Sequence, residues 1–195
     1  ILMPQNLSRD DWSALMRIAE AAVLAAANQR QPEPLQNASL SPALLEDAAA
    51  FVTLTKSGRL RGCIGSLEAW RPLAQEVQQR AYQAAVEDPR FPPLSPSELP
   101  NIEIEISRLT EPVRLPYEHP EDLPRLLKPH KDGVILSDGR RRATFLPQVW
   151  EQLPRPEEFL NHLCAKMGAR PDLWRERVLE VWIYHVEEYK AKPEW

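Results

Sequence analysis

Glycine is scarce in this chain. Six stand against 20 prolines, where average usage would give roughly 14 glycines in a chain this long. Each glycine present therefore carries information, and two of the six, Gly62 and Gly65, lie in one hexapeptide. Cysteine is nearly absent too. Cys63 and Cys164 alone do not make a disulfide framework, and they suit a reducing compartment. No apolar run approaches the ~20 residues that cross a bilayer. The opening Ile1-Leu2-Met3-Pro4 lacks the basic and apolar regions of a secretory signal, and it starts without a methionine, as a trimmed chain would. Positive charge is not in excess: 24 basic against 28 acidic residues give −4 and a pI of about 5.7. General attraction to nucleic acid or an anionic membrane is not expected. The tight basic cluster Arg140-Arg141-Arg142 adjoins a turn and reads as a solvated hairpin edge. Four scattered histidines and two distant cysteines offer no metal-ligand spacing. No phosphate-loop, dinucleotide, nucleophile-elbow or zinc-protease pattern is present. No metal or cofactor is expected, and the plain reading is a soluble cytoplasmic protein.

What is there is an ordinary globular composition, 43% hydrophobic and 27% charged over 195 residues. That suits one domain, or two lobes sharing one core. Ser8-Arg9-Asp10-Asp11 resembles a capping box, with Leu7 and Trp12 placed as a hydrophobic staple. Trp12, Leu15, Met16, Ala19, Ala22, Val23 and Ala26 then predict a helix of about five turns. After a polar connection over 31–42, residues 44–50 read as a short helix or a lead-in. Phe51 to Thr55 and Leu60 to Leu67 predict a hairpin across Ser57-Gly58. A second helix is expected over 72–87. Five prolines between Asp88 and Asn101 argue against a regular element there. Ile102 to Leu109 alternates strictly, as a half-buried strand does. A short helix near 121–127 precedes a second hairpin, 134–137 and 141–146, with Asp138-Gly139 as a type I′ signal. Helices at about 147–153 and 156–167 follow, with Gly168 as a C′ residue. A last strand is expected over 179–186. Hairpins and strands mixed with helices, without βαβ alternation, predict α+β with antiparallel sheet and flanking helices.

Leu60-Arg61-Gly62-Cys63-Ile64-Gly65 is the strongest candidate for a functional centre. Two glycines three residues apart in a strand usually mark close backbone approach, a bulge or a ligand. Arg61 and Cys63 fall on one face of a regular strand, where a guanidinium would favour a thiolate. One reading is a nucleophilic or ligand-contacting Cys63 beside an anion-binding Arg61. The other is Cys63 as a small buried hydrophobe. A two-residue loop at Ser57-Gly58 would set Cys63 opposite Val52 and Arg61 opposite Leu54, which favours the second; a three-residue loop would reverse that assignment. No histidine is poised locally as a base. Asp88-Pro89-Arg90-Phe91-Pro92-Pro93 is the next candidate, since prolines can hold Asp88 and Arg90 rigidly. Glu103 and Glu105 share the polar face of their strand; they suit acid–base work or a solvated sheet face. Cys164 reads as core. His119, His130, His162 and His185 show no partner pattern.

With those residues in view, the chain resembles the AMMECR domain family, whose bacterial and archaeal members are called AmmeMemoRadiSam system protein A. The resemblance rests on ordered blocks: Phe51–Leu54, Leu60–Gly65, Asp88–Pro93, Glu105–Ser107 and Ala143–Pro147, with a looser one from Phe159 to Lys166. They cover about positions 49–189 of a single domain. Departures are modest: Ala49-Ala50 replaces a frequent glycine, and Met167 and Ala169 flank Gly168 unusually. The resemblance implies a two-lobed α+β fold with the Leu60–Gly65 strand beside a cleft. It also implies association with a radical-SAM protein and a Memo-type protein, without a securely assigned activity. The expected role is ligand-binding or accessory, with Arg61, Gly62, Gly65, Asp88 and Arg90 around a small anionic ligand. The alternative is an enzyme acting on a small anion, with Cys63 as nucleophile and Glu105 in the chemistry.

Overall fold

The capping box at Ser8 forms as expected. Ser8 Oγ accepts the Asp11 N–H at 3.1 Å, and Asp11 Oδ2 accepts the Ser8 N–H at 2.9 Å. It opens α1 (Arg9–Ala27), whose Leu15, Ala19, Ala22 and Val23 are fully buried. The structure, a computed structural model, describes residues 7–195; the opening tetrapeptide Ile1–Pro4 lies outside the described residues. Beyond α1 come a four-residue α2 (Pro42–Leu45) and the hairpin strands β1 (Ala49–Lys56) and β2 (Arg59–Gly65). Then follow α3 (Leu73–Val86) and β3 (Ile102–Leu109), the strand read from its alternation. Its Ile102, Ile104 and Ile106 are fully buried, and Glu103 and Glu105 stay partly exposed on the other face.

The chain continues through β4 (Val113–Arg114), α4 (Leu123–Leu126), β5 (Gly133–Ser137) and β6 (Arg142–Phe145). It then runs through α5 (Pro156–Lys166), α6 (Leu173–Glu176), β7 (Glu180–Tyr184) and β8 (Val186–Ala191). Gly168 ends α5 as a C′ residue with φ +79°: Ala169 N–H reaches Cys164 O and Gly168 N–H reaches Ala165 O, a Schellman pair. Two four-stranded sheets result, ordered β2-β1-β3-β8 and β4-β7-β5-β6. The pairs β1–β2, β1–β3, β4–β7, β5–β6 and β5–β7 are all antiparallel. The α+β class with antiparallel sheet and flanking helices is therefore as expected. Two compact units divide the chain: Thr110–Val186, and the remainder, which takes back Glu187–Trp195. The first unit's core joins α1 and α3 to the apolar face of its sheet through Val52, Leu54 and the three isoleucines. The second unit's core gathers Trp150, stacked on Phe159 at 3.7 Å between ring centres, with Leu136, Leu163 and Cys164. At about 1.5–3 kcal/mol for each fully buried large side chain, these cores hold the elements without cross-links.

Four local expectations are corrected. Residues 88–101 hold a 3-10 helix, Pro96–Asn101, because Pro96 takes a first-turn position and Ser95 with Glu98 makes a second capping box. The Asp138-Gly139 turn is a four-residue connection instead of type I′. Gly139 has φ +88°, and Asp138 Oδ1 accepts the N–H groups of Arg140 and Arg141, so an Asx-type turn replaces the tight one. The expected strand over 179–186 ends at Tyr184, and a further strand, β8, returns to the first sheet. His185 sits at that break with a partner after all. Its Nε2 lies 3.0 Å from Oδ1 of fully buried Asp132, and its N–H reaches Thr110 Oγ1.

Candidate functional site

The Ser57-Gly58 turn has the predicted two-residue geometry, with φ +51° and +77°. The register beyond it does not follow. Thr55 pairs with Leu60 and Leu54 with Gly62, so Arg61 is the extra residue of a β-bulge. Every partner past the bulge moves by one. Cys63 therefore lies opposite Thr53, where regular pairing would have put Val52. The thiol consequently faces the polar side of the sheet. It is half-buried and accepts a hydrogen bond from Thr53 Oγ1 at 3.2 Å. Thr53 pairs in turn with Glu105 on β3. Cys63, Thr53 and Glu105 thus form a row across three strands. Glu188 of β8 is close enough to feel it: partial burial, and then the Glu105 charge, push the Glu188 carboxyl above its usual range.

The bulge also removes Arg61 from the face of Cys63. Its side chain is buried, with Nε 3.0 Å from Glu98 Oε1 and Nη2 3.1 Å from Glu98 Oε2 and 2.9 Å from Pro92 O. Nη1 is buried with no hydrogen-bond partner among the described residues. Glu98 also accepts Lys56 Nζ at 2.9 Å and the Ser95 N–H at 3.0 Å. Arg61, ahead of Lys56 and Ser95, holds the Glu98 carboxyl well below the usual carboxylate range, against partial burial.

Asp88 and Arg90 close over the edge of β2. Asp88 is 3% exposed, and its Oδ2 accepts the Cys63 N–H at 2.9 Å and Arg90 Nη2 at 2.7 Å. Oδ1 takes the Arg90 N–H and Nε. The Arg90 guanidinium, ahead of the two backbone donors, keeps the Asp88 carboxyl far below the ordinary range despite burial. Arg90 itself is exposed; its Nη2 reaches the Cys63 carbonyl at 3.5 Å, and its guanidinium lies 5.5 Å from the centre of the Phe91 ring. The proline-held loop thus supplies an acceptor and a donor to the outward N–H and C=O of Cys63. That is how an edge strand is covered without a fifth strand.

The two glycines are explained by close packing. A Cβ on Gly62 would sit 2.0 Å from Ala84 O, so α3 lies directly on the strand there. One on Gly65 would meet the Phe51 ring at 2.2 Å. The structure therefore brings Cys63, Asp88 and Arg90 together, adds Glu105 through Thr53, and turns Arg61 to Glu98. Sequence reasoning missed Thr53, Glu98 and Glu188. Glu98 alone had a readable signal, the Ser95-Pro96-Ser97-Glu98 capping pattern. Among the described residues no group of three or more His, Cys, Asp and Glu side chains is placed to hold a metal ion. No helix among them is long and apolar enough to cross a membrane.

Comparison with known proteins agrees with the fold. The AMMECR1 family model matches residues 16–189. A protein from Thermofilum pendens is 39% identical, the match covering 93% of this chain and 90% of the relative. One from Methanothermobacter thermautotrophicus is 37% identical, covering 93% and 94%. The crystal structure of an uncharacterized protein from Pyrococcus horikoshii superposes with a TM-score of 0.75 at 32% identity, covering 95% of this chain and 94% of that one.

Proposed function

The chain belongs to the AMMECR1 family, and from that premise we propose that it is a cytoplasmic ligand-binding or accessory component acting with radical-SAM and Memo-type proteins. One observation carries the accessory reading. The charged groups of the two motif segments are spent on the chain itself, Arg61 on Glu98 and Asp88 on Arg90 and the Cys63 N–H. What stays open to a partner is the exposed edge of Arg90, the half-buried Cys63 thiol and the polar row behind it. A rigid loop presenting one guanidinium and one thiol suits docking, or holding a small anion for another catalyst, better than independent turnover. Both cysteines are free thiols, which supports a reducing compartment.

A second reading keeps Cys63 as a nucleophile toward a small anionic substrate, with Glu105 in proton transfer. The placement of the thiol and Glu105 on either side of Thr53 favours it. One reconstitution distinguishes the two. Purified chain is mixed with the radical-SAM and Memo-type proteins of its own organism, run by size exclusion, and titrated with a thiol reagent across pH. The accessory reading expects a complex that Arg90→Glu weakens at least about tenfold and that Cys63→Ser leaves intact. Absence of any complex sinks it. The nucleophile reading expects Cys63 to label well before buried Cys164 below pH ~8, where an ordinary thiol is mostly protonated. A Cys63 as inert there as Cys164 sinks that one.

A further inference from the structure

Beyond its first turn, α1 has too little charge for a helix with an open side. From Ala14 to Ala27 its only charged residues are Arg17 and Glu20. A helix that is apolar nearly all round is normally buried nearly all round. Here one side packs into the core through Leu15, Met16, Ala19, Ala22, Val23 and Ala26. The other side lines a groove of about 830 Å³, open to solvent. Along it run Ala14, Ile18, Ala21, Ala25 and Asn28, with Leu24 44% exposed beside them. Their spacing of four, three, four and three residues is the repeat of a helix-to-helix seam. Alanine at three of the five positions lets a second helix come close. The seam is about 21 Å long at 1.5 Å per residue, room for roughly four turns. The segment after α1 makes the far wall, with half-buried Leu35 and Leu40.

We propose that this groove is a docking site for an acidic amphipathic helix of a partner protein. The charge of the occupant follows from the rims. Arg17 and Arg30 both line the groove and are exposed, and neither makes an ion pair with a described carboxylate. Glu20 acts on Arg17 only at longer range. Glu33 is the single acid in the lining, so an incoming helix gains from carboxylates beside its apolar stripe. A second copy of the α1 seam fits poorly, since from Ala14 to Asn28 it offers only Glu20 to two arginines. The groove shares no residue with the site around Cys63, so the two readings stand or fall separately.

The test uses the full chain and a dye-labelled peptide of about 18 residues, five helical turns, with leucines at alternating three- and four-residue spacing and glutamates elsewhere. Fluorescence anisotropy follows its binding. The expected Kd lies in the range of about 1–100 µM, as for a single helix in a groove. A scrambled peptide of the same composition, and one with lysines in place of the glutamates, should bind at least about tenfold more weakly. Ala21→Glu blocks the seam at an exposed position, and Arg17→Glu with Arg30→Glu reverses the rims. Each should raise Kd at least about tenfold with an unchanged circular dichroism spectrum. Equal binding of the scrambled peptide, no binding of any peptide, or indifference to Ala21→Glu overturns the proposal. So does a dimer in sedimentation that Ala21→Glu dissolves, which would make a second copy the occupant.

Discussion

Asp88 is the residue on which the site turns. A carboxylate this buried keeps its charge only where donors replace water, and here it has the Cys63 and Arg90 N–H groups and the Arg90 guanidinium. Its carboxyl is held below the ordinary range in the folded chain. The stability it contributes is therefore fully present above the unfolded value of about 3.9. It is lost progressively as pH falls from there through the folded value. Asp88→Asn lacks that contribution at any pH. Urea midpoints should place the variant below the native chain at pH 7, with a gap that narrows steadily below about pH 4. A gap that stays constant down to pH 2.5 would mean the charge of Asp88 is not its source. Arg90, by contrast, sits on the surface, and Arg90→Ala should matter through Asp88 and through whatever binds there.

At the scale of elements, Gly62 joins helix to sheet. The Ala84 carbonyl of α3 occupies the space a side chain would need, so Gly62→Ala must push backbone against backbone. Overpacking of that kind costs about 1–3 kcal/mol, read as a lowered urea midpoint with the slope unchanged. An unchanged midpoint would show that α3 can slide off the strand freely. How far the elements were legible differs for physical reasons. Strict alternation from Ile102 to Leu109 gave β3 directly, because one face is core and the other polar. Glycine economy pointed rightly at Gly62 and Gly65, and at close approach as one of its causes. The bulge at Arg61 was not legible: an inserted residue leaves composition and alternation looking regular, and it shows only when the partner strand is in place. That one residue moved Cys63 from the core side to the polar side and sent Arg61 to Glu98. β8 was missed because Val186 to Ala191 alternates weakly and takes its meaning from β3, nearly 80 residues earlier in the chain.

At the scale of the molecule, the path of the chain ties its last residues to its first sheet. It leaves the first unit after Leu109 and returns at Glu187. What returns is β8, which stands beside β3 as the sheet's last strand. The anchors are specific: Glu187 accepts Arg108 Nη1 at 3.1 Å, and Lys190 Nζ lies 3.0 Å from Glu103. Tyr189 stacks on Trp12 with ring centres 5.7 Å apart. Tyr189, Ala191 and Trp195 pack on the first core. The second unit keeps its own core, and β5 lies inside its sheet with partners on both sides. Removing Glu187–Trp195 should therefore act on one sheet. Amide exchange on the shortened chain should show β3 losing protection, since an uncovered edge strand opens locally at small cost. The amides of β5 should keep theirs. Equal loss in β3 and β5 would show that the units unfold as one body, and no loss in β3 would show that β8 contributes little to the sheet it completes. Glu188 gives the outcome a bearing on the site as well. Partial burial, and then the Glu105 charge, raise its carboxyl above the usual range, so a chain lacking β8 also lacks that acidic neighbour of the polar row behind the thiol.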